Sequence, residues 1–203
     1  MTIRLLPDDQ WFRSKNGNGV LAGSPLTYFG VTDAGSEILD AIETNSELPQ
    51  NHAQLTDRLL ATGAVHPVPD SPSALTDITV VIPAFISNEE SHVHLEKLVA
   101  SLIGLTIIIV DDGSPHPIDI TGVRVIRHDT NKGPAAARNT GIAAVITTVV
   151  ACVDTDVMVT TQQIATLAAY VTDSRVGAVA PRITCVNDGT FIGEFESHHS
   201  PLD

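Results

Sequence analysis

Thr148-Val149-Val150-Ala151-Cys152-Val153-Asp154-Thr155-Asp156-Val157 is an apolar run that breaks into two acids one residue apart. A β-branched run without charge is expected to be a strand buried on both faces, and in open α/β sheets such strands deliver what stands at their carboxyl ends into a crevice. Asp154 and Asp156 stand at that end. Residues two apart in extended backbone point the same way, so the two carboxylates are expected on one side of the chain. Oxygen ligands so paired suit a hard divalent metal, Mg or Mn, and such a cation commonly brings phosphate with it.

Upstream of this run the chain alternates strands with helices. Ile78-Thr79-Val80-Val81-Ile82-Pro83 is a core strand ended by proline, and a polar loop, Ser87 to Ser91, leads into a helix carrying Val93, Leu95, Leu98, Val99 and Leu102. Thr106 to Val110 is a second strand, running into Asp111-Asp112-Gly113-Ser114, and Val123-Arg124-Val125-Ile126 is a third. A polar loop from His128 to Pro134 then opens a helix from Ala135 onward, and Val176 to Ile183 is a further core strand beyond the two acids. This alternation predicts right-handed βαβ units: an α/β, Rossmann-like layer with a mostly parallel sheet and flanking helices. No Gly-x-Gly-x-x-Gly follows the strand at Val80–Pro83, which argues against a nicotinamide cofactor.

Residues 1–68 have a different rhythm. Asn16-Gly17-Asn18-Gly19 between short apolar runs signals a hairpin, and Leu26-Thr27-Tyr28-Phe29 is a short strand. Thr32 is placed to cap a helix with Ile38, Leu39 and Ile42 on one face; a second helix, Ala53 to Ala61, ends at Gly63 before the strand Ala64-Val65-His66. Together these make a small winged-helix-like α+β module. Residues 69–76, with prolines at 69 and 72, form a linker, and residues 77–203 a second domain.

The balance of charge narrows the partners. Acids outnumber bases by 24 to 11, for a formal charge of −13, and no cationic cluster interrupts them, so no nucleic-acid partner is expected. Hydrophobic residues make up 43% of the chain, enough for a sizeable core, but the longest uncharged apolar stretch, Ile142 to Val153, is too short for a transmembrane segment. Met1 to Asp9 reaches acids before any long apolar region, so no secretory signal is expected and a cytoplasmic location follows. Cys152 and Cys185 form no staple framework and no zinc spacing; both are expected as buried thiols.

Four stretches carry a family resemblance: Thr79-Val80-Val81-Ile82-Pro83-Ala84-Phe85, Ile109-Val110-Asp111-Asp112-Gly113-Ser114, Asn131-Lys132-Gly133-Pro134-Ala135-Ala136-Ala137-Arg138-Asn139-Thr140-Gly141 and Val153-Asp154-Thr155-Asp156. In this order they resemble the successive landmarks of family 2 glycosyltransferases with the GT-A fold, and the last is similar to that family's DXD motif. The third, together with the N-terminal module, also resembles the mycofactocin-system glycosyltransferases. Gly19-Val20-Leu21 ahead of Tyr28-Phe29, then the helix through Ala34 to Leu39, is similar to the peptide-recognition modules related to the PQQ-biosynthesis chaperone.

The resemblance implies a glycosyltransferase moving a hexose from a UDP-sugar to an acceptor, such as a peptide-derived redox cofactor. It implies Asp156 as the metal ligand, with Asp154 holding the ribose or a metal-bound water. Asp112, beside Asp111, would accept from the uracil N–H or the ribose hydroxyls. Pro83, Ala84 and Phe85 would border the nucleotide, and Lys132 and Gly133 would close over its base. Arg138 stands open between a ligand contact and a helix-surface salt bridge. The family's general base lies beyond the metal-binding acids; Glu194, Glu196 and Asp203 come too early to match it, and His198 and His199 read as a solvated pair. The chain is therefore expected to hold the donor-binding half of such an enzyme, with its C-terminal part incomplete. The alternative is a non-catalytic module in which residues 1–68 recognise a peptide and the α/β part is scaffold.

Overall fold

A computed structural model describes residues 4–69, 71–174, 176–181, 183 and 189–190. The chain divides into two compact units, Met1–Asp70 and Ser71–Asp203.

In the first unit, β1 (Arg4–Pro7), β2 (Phe12–Arg13), β3 (Gly19–Ala22) and β4 (Thr27–Gly30) precede α1 (Asp33–Glu43), α2 (Ala53–Ala61) and β5 (Val65–Val68). The Asn-Gly turn forms as expected: Ser14 N–H donates to the Gly19 carbonyl at 2.9 Å, and β2 pairs antiparallel with β3, Phe12 opposite Leu21. Thr32 caps α1 by accepting from the Gly35 amide at 3.4 Å. The apolar stripe Ile38, Leu39 and Ile42 turns inward against Val20, Phe29 and Leu59. β5 pairs antiparallel with β1, a partnership the sequence reading did not anticipate because the two strands lie some sixty positions apart. The unit thus has a three-stranded sheet, β2-β3-β4, and a separate two-stranded one.

The second unit runs β6 (Ile78–Ala84), α3 (Glu89–Ser101), β7 (Thr106–Asp111), β8 (Arg124–Arg127), α4 (Pro134–Ala143), β9 (Val149–Cys152) and α5 (Thr161–Tyr170). Its four strands form one parallel sheet in the order β8-β7-β6-β9. This is the mixed α/β, mostly parallel architecture expected of the chain's second part. Every residue of β6 is buried, as a central strand flanked by neighbours on both sides requires. Asn88 with Ser91 and Thr160 with Gln163 close capping boxes that start α3 and α5. The Thr161 hydroxyl donates to the Ile103 carbonyl at 2.9 Å, tying the start of α5 to the chain just after α3. α4 lies against β6 and β7 through Gly141, where an added Cβ would overlap Val81 Cγ1 and stand 3.1 Å from Val110 Cγ2.

The strand order reverses between β6 and β9, and a crevice opens at such a switch point beyond the carboxyl ends of the strands. Pairing of β9 with β6 stops at Val81 and Cys152, two residues before Pro83, which has no N–H with which to extend a ladder.

Three expectations are corrected here. β9 is four residues long and half-exposed rather than buried on both faces, with Val150 38% exposed, because among the described residues it has a strand neighbour on one side only. Cys152 is consequently an exposed thiol, not a buried one, while Cys185 lies outside the described residues. Val176–Pro181 and Ile183 carry no strand, and Arg182 lies outside the described residues.

Candidate functional site

At the end of β7 two consecutive acids do different work. Asp111 is fully buried. Its carboxylate accepts from the Ser114 amide at 2.9 Å, from the Ile118 amide at 3.3 Å, and from the guanidinium of Arg127 at the end of β8. Burial opposes its charge, but these donors outweigh it and hold the carboxyl below the usual carboxylate range. Arg127 also donates to the Ser114 carbonyl at 2.7 Å, and the Ser114 hydroxyl accepts from the Ile86 amide at 2.9 Å, fixing the loop after β6. Gly113 completes the turn at φ +76°, where a Cβ would stand 2.7 Å from the Asn131 nitrogen.

Asp112 is 4% exposed, and its amide donates to the Ala84 carbonyl at 2.8 Å. Oδ1 accepts from His128 Nδ1 at 2.7 Å and from the Lys132 amide at 2.9 Å; Oδ2 accepts from the Gly133 amide at 2.8 Å. Desolvation works against its ionisation, yet the two amides and the imidazole prevail and lower its pKa. A carboxylate offers about four acceptor positions, so one remains, on Oδ2. Lys132 and Gly133 are thus tied to Asp112 through their backbone, and Pro134 follows at the first position of α4.

Arg138, one turn along α4, donates to Asp154 Oδ1 at 2.5 Å; the two side chains are 35% and 50% exposed. The salt bridge, one of the two expectations for Arg138, therefore exists, and it joins two of the residues singled out in the sequence.

The expectation that Asp154 and Asp156 share one side of an extended chain is corrected. β9 ends at Cys152, and the Val157 amide donates to the Asp154 carbonyl at 3.2 Å, so residues 154–157 form a turn in which strand alternation no longer applies. Asp154 faces α4 through Arg138, whereas Asp156 borders a cavity of about 480 Å³ with His94, Lys97 and Leu98 of α3 and Gln163 of α5. Among the described residues no three His, Cys, Asp or Glu side chains gather into a metal cluster. Mg and related hard cations are commonly held by one or two carboxylates plus substrate phosphates and water, so exposed Asp156 fits a cation bridged to a nucleotide rather than one caged by protein alone.

Pro83 and Ala84 are buried, and Phe85, which follows them, is 47% exposed. Arg127, His128, Ser114 and Thr140 were missed by the sequence reading. Each acts through a partner at least 12 positions away, and no short motif marks such a pairing. Glu194, Glu196, His198, His199 and Asp203 lie outside the described residues.

The pre-mycofactocin glycosyltransferases of two Mycobacterium tuberculosis strains, CDC 1551 / Oshkosh and ATCC 25618 / H37Rv, are each 37% identical, the alignment covering 93% of this chain and 41% of theirs. The chain thus spans about two fifths of the length of these relatives. Among solved structures, the mannosyltransferase PcManGT from Pyrobaculum calidifontis, in complex with GDP-Man and Mn2+, aligns at 16% identity and a TM-score of 0.41, over 67% of this chain and 42% of that one. The family model for glycosyl transferase family 2 matches residues 79–201, which include all four stretches that suggested the resemblance, and this chain belongs to that family.

Proposed function

We propose that the second unit binds the donor of a hexosyl transfer, a UDP-sugar, and that the whole protein passes the hexose to a peptide-derived redox cofactor of the mycofactocin type. The observation that carries the donor reading is the clamp of Asp112 on the Lys132–Gly133 backbone at the carboxyl end of the sheet, where the Asp112 amide meets the Ala84 carbonyl. In this reading the exposed Phe85 ring borders the base, and the remaining acceptor position of Asp112 takes the uracil N–H. Asp154, steadied by Arg138, takes a ribose hydroxyl or a metal-bound water, and Asp156 offers its carboxylate to a divalent cation. Such a cation, when bound, neutralises charge that develops on the departing diphosphate. The name of the M. tuberculosis relatives, pre-mycofactocin glycosyltransferase, supports the acceptor part of this reading. Isothermal calorimetry tests the donor site: saturable UDP binding that requires manganese and weakens at least about tenfold in Asp156→Ala supports it. Absence of UDP binding, or an Asp156→Ala variant that binds like the wild type, refutes it.

A second reading concerns the first unit. Phe12, Leu21 and Tyr28 stand opposite one another across β2, β3 and β4, and Phe12 and Tyr28 are each 60% exposed. Directly paired residues share a face, so the three form an outward apolar row suited to a peptide. Titrating the protein with precursor peptides tests this; no saturable binding removes it.

A further inference from the structure

His128 is 7% exposed. Its backbone amide donates to the Asp111 carbonyl at 2.8 Å, so the sheet edge fixes where its ring stands. Nδ1 is 2.7 Å from Asp112 Oδ1, and Nε2 is 2.9 Å from the Thr140 hydroxyl on α4. A carboxylate only accepts, so Nδ1 carries the proton, and the Thr140 hydroxyl shares a hydrogen bond with Nε2 on the other side of the ring. Half-buried Thr140 and buried His128 and Asp112 form one line that ends on the two loop amides.

A carboxylate has two equivalent oxygens and a soft terminal torsion, so an isolated Asp112 could present either oxygen, at a range of angles. With His128 and the Lys132 amide both on Oδ1 and the Gly133 amide on Oδ2, one orientation survives and one acceptor position is left. Such a position accepts only from a donor. Uracil presents a ring N–H at N3; cytosine presents a bare nitrogen there, which a fixed carboxylate oxygen repels. We propose that His128 is a positioning residue that makes the site selective for a nucleobase bearing a ring N–H, by holding Asp112 in this single orientation. The inference rests on the donor-binding reading given above and adds to it the residue that sets base selectivity.

The test measures affinities for UDP, for N3-methyl-UDP, which lacks the ring N–H, and for pyrophosphate, each with manganese, by calorimetry on the full chain. The wild type is expected to prefer UDP over N3-methyl-UDP by about tenfold or more, the scale of one lost bond to a charged, buried acceptor. His128→Leu should reduce that preference to within about threefold while leaving pyrophosphate affinity within about threefold of the wild type, since in the donor-binding reading the diphosphate is met by the cation on Asp156 and not by Asp112. His128→Asn, whose side-chain amide can still donate towards Asp112, should restore most of the preference. A His128→Leu variant that keeps the preference, or loses UDP and pyrophosphate affinity alike, overturns the proposal. Should His128→Leu fail to fold, Thr140→Val carries the test: a preference lowered by about threefold supports the proposal, and an unchanged one overturns it. A wild type that binds UDP and N3-methyl-UDP equally overturns this inference while leaving the donor site standing; a wild type that binds no UDP removes both.

Discussion

Asp111 shows how much one residue can hold. Its fully buried carboxylate joins β7 to β8 through Arg127 and closes the turn through the Ser114 and Ile118 amides. Asp111→Asn leaves the Arg127 charge without its partner and should cost about 3 kcal/mol, the lower end for breaking a buried pair, because Arg127 keeps some water contact. A urea titration at pH 7 reads this as a lower midpoint. The pH dependence follows from the direction of the shifts. Asp111 and Asp112 have carboxyls held below the usual range in the folded state, so their stabilisation is present above the unfolded value of about 3.9 and is lost as pH falls through the lower folded values. Unfolding midpoints should therefore drop steeply between about pH 4 and pH 2 in the wild type, and less so in Asp111→Asn. That two acids followed Thr106–Val110 was plain from the sequence. That Asp111 serves the scaffold while Asp112 keeps one acceptor position was not, because the difference lies in Arg127 and His128, whose proximity only the pairing of β7 with β8 creates.

At the scale of elements, the seating of α4 gives the sharpest prediction. Gly141→Ala gains about 1 kcal/mol of helix propensity, yet the new methyl would press on Val81 and Val110 of the sheet beneath. Net destabilisation of about 1–3 kcal/mol is expected, visible as a lower melting temperature; a rise in melting temperature would show that α4 is free to shift. Thr32→Ala should cost about 1 kcal/mol through loss of the α1 cap. Strands and helices with strong periodicity were readable: Ile78–Pro83, Thr106–Val110 and Ala53–Ala61 all have the structure assigned to them. The run from Thr148 to Val157 misled at its end, because an Asp-x-Asp step can be strand or turn and the Asp154–Val157 hydrogen bond decides for turn. β1 was invisible because four residues with a distant partner carry no local signal.

At the scale of the molecule, a formal charge of −13 means that a diphosphate, in the proposed reading, would need local help, from Arg138 and from a cation held by Asp156. Since only Asp156 stands without an ion-pair partner among the described acids of the crevice, metal and nucleotide should bind together. Manganese alone is expected to bind at least about tenfold more weakly than manganese with UDP, by calorimetry; equal affinities would mean a protein-built metal cage. The four stretches carry the family in the sequence, and the sheet order brings their loops to one end of the sheet. In the donor-binding reading these loops form one nucleotide site, and amide NMR shifts on adding UDP with magnesium decide whether they do. Changes grouped at Ala84–Phe85, Asp112, Lys132–Gly133 and Asp154–Asp156 are predicted; changes confined to residues 4–69, or none on saturation, would contradict it.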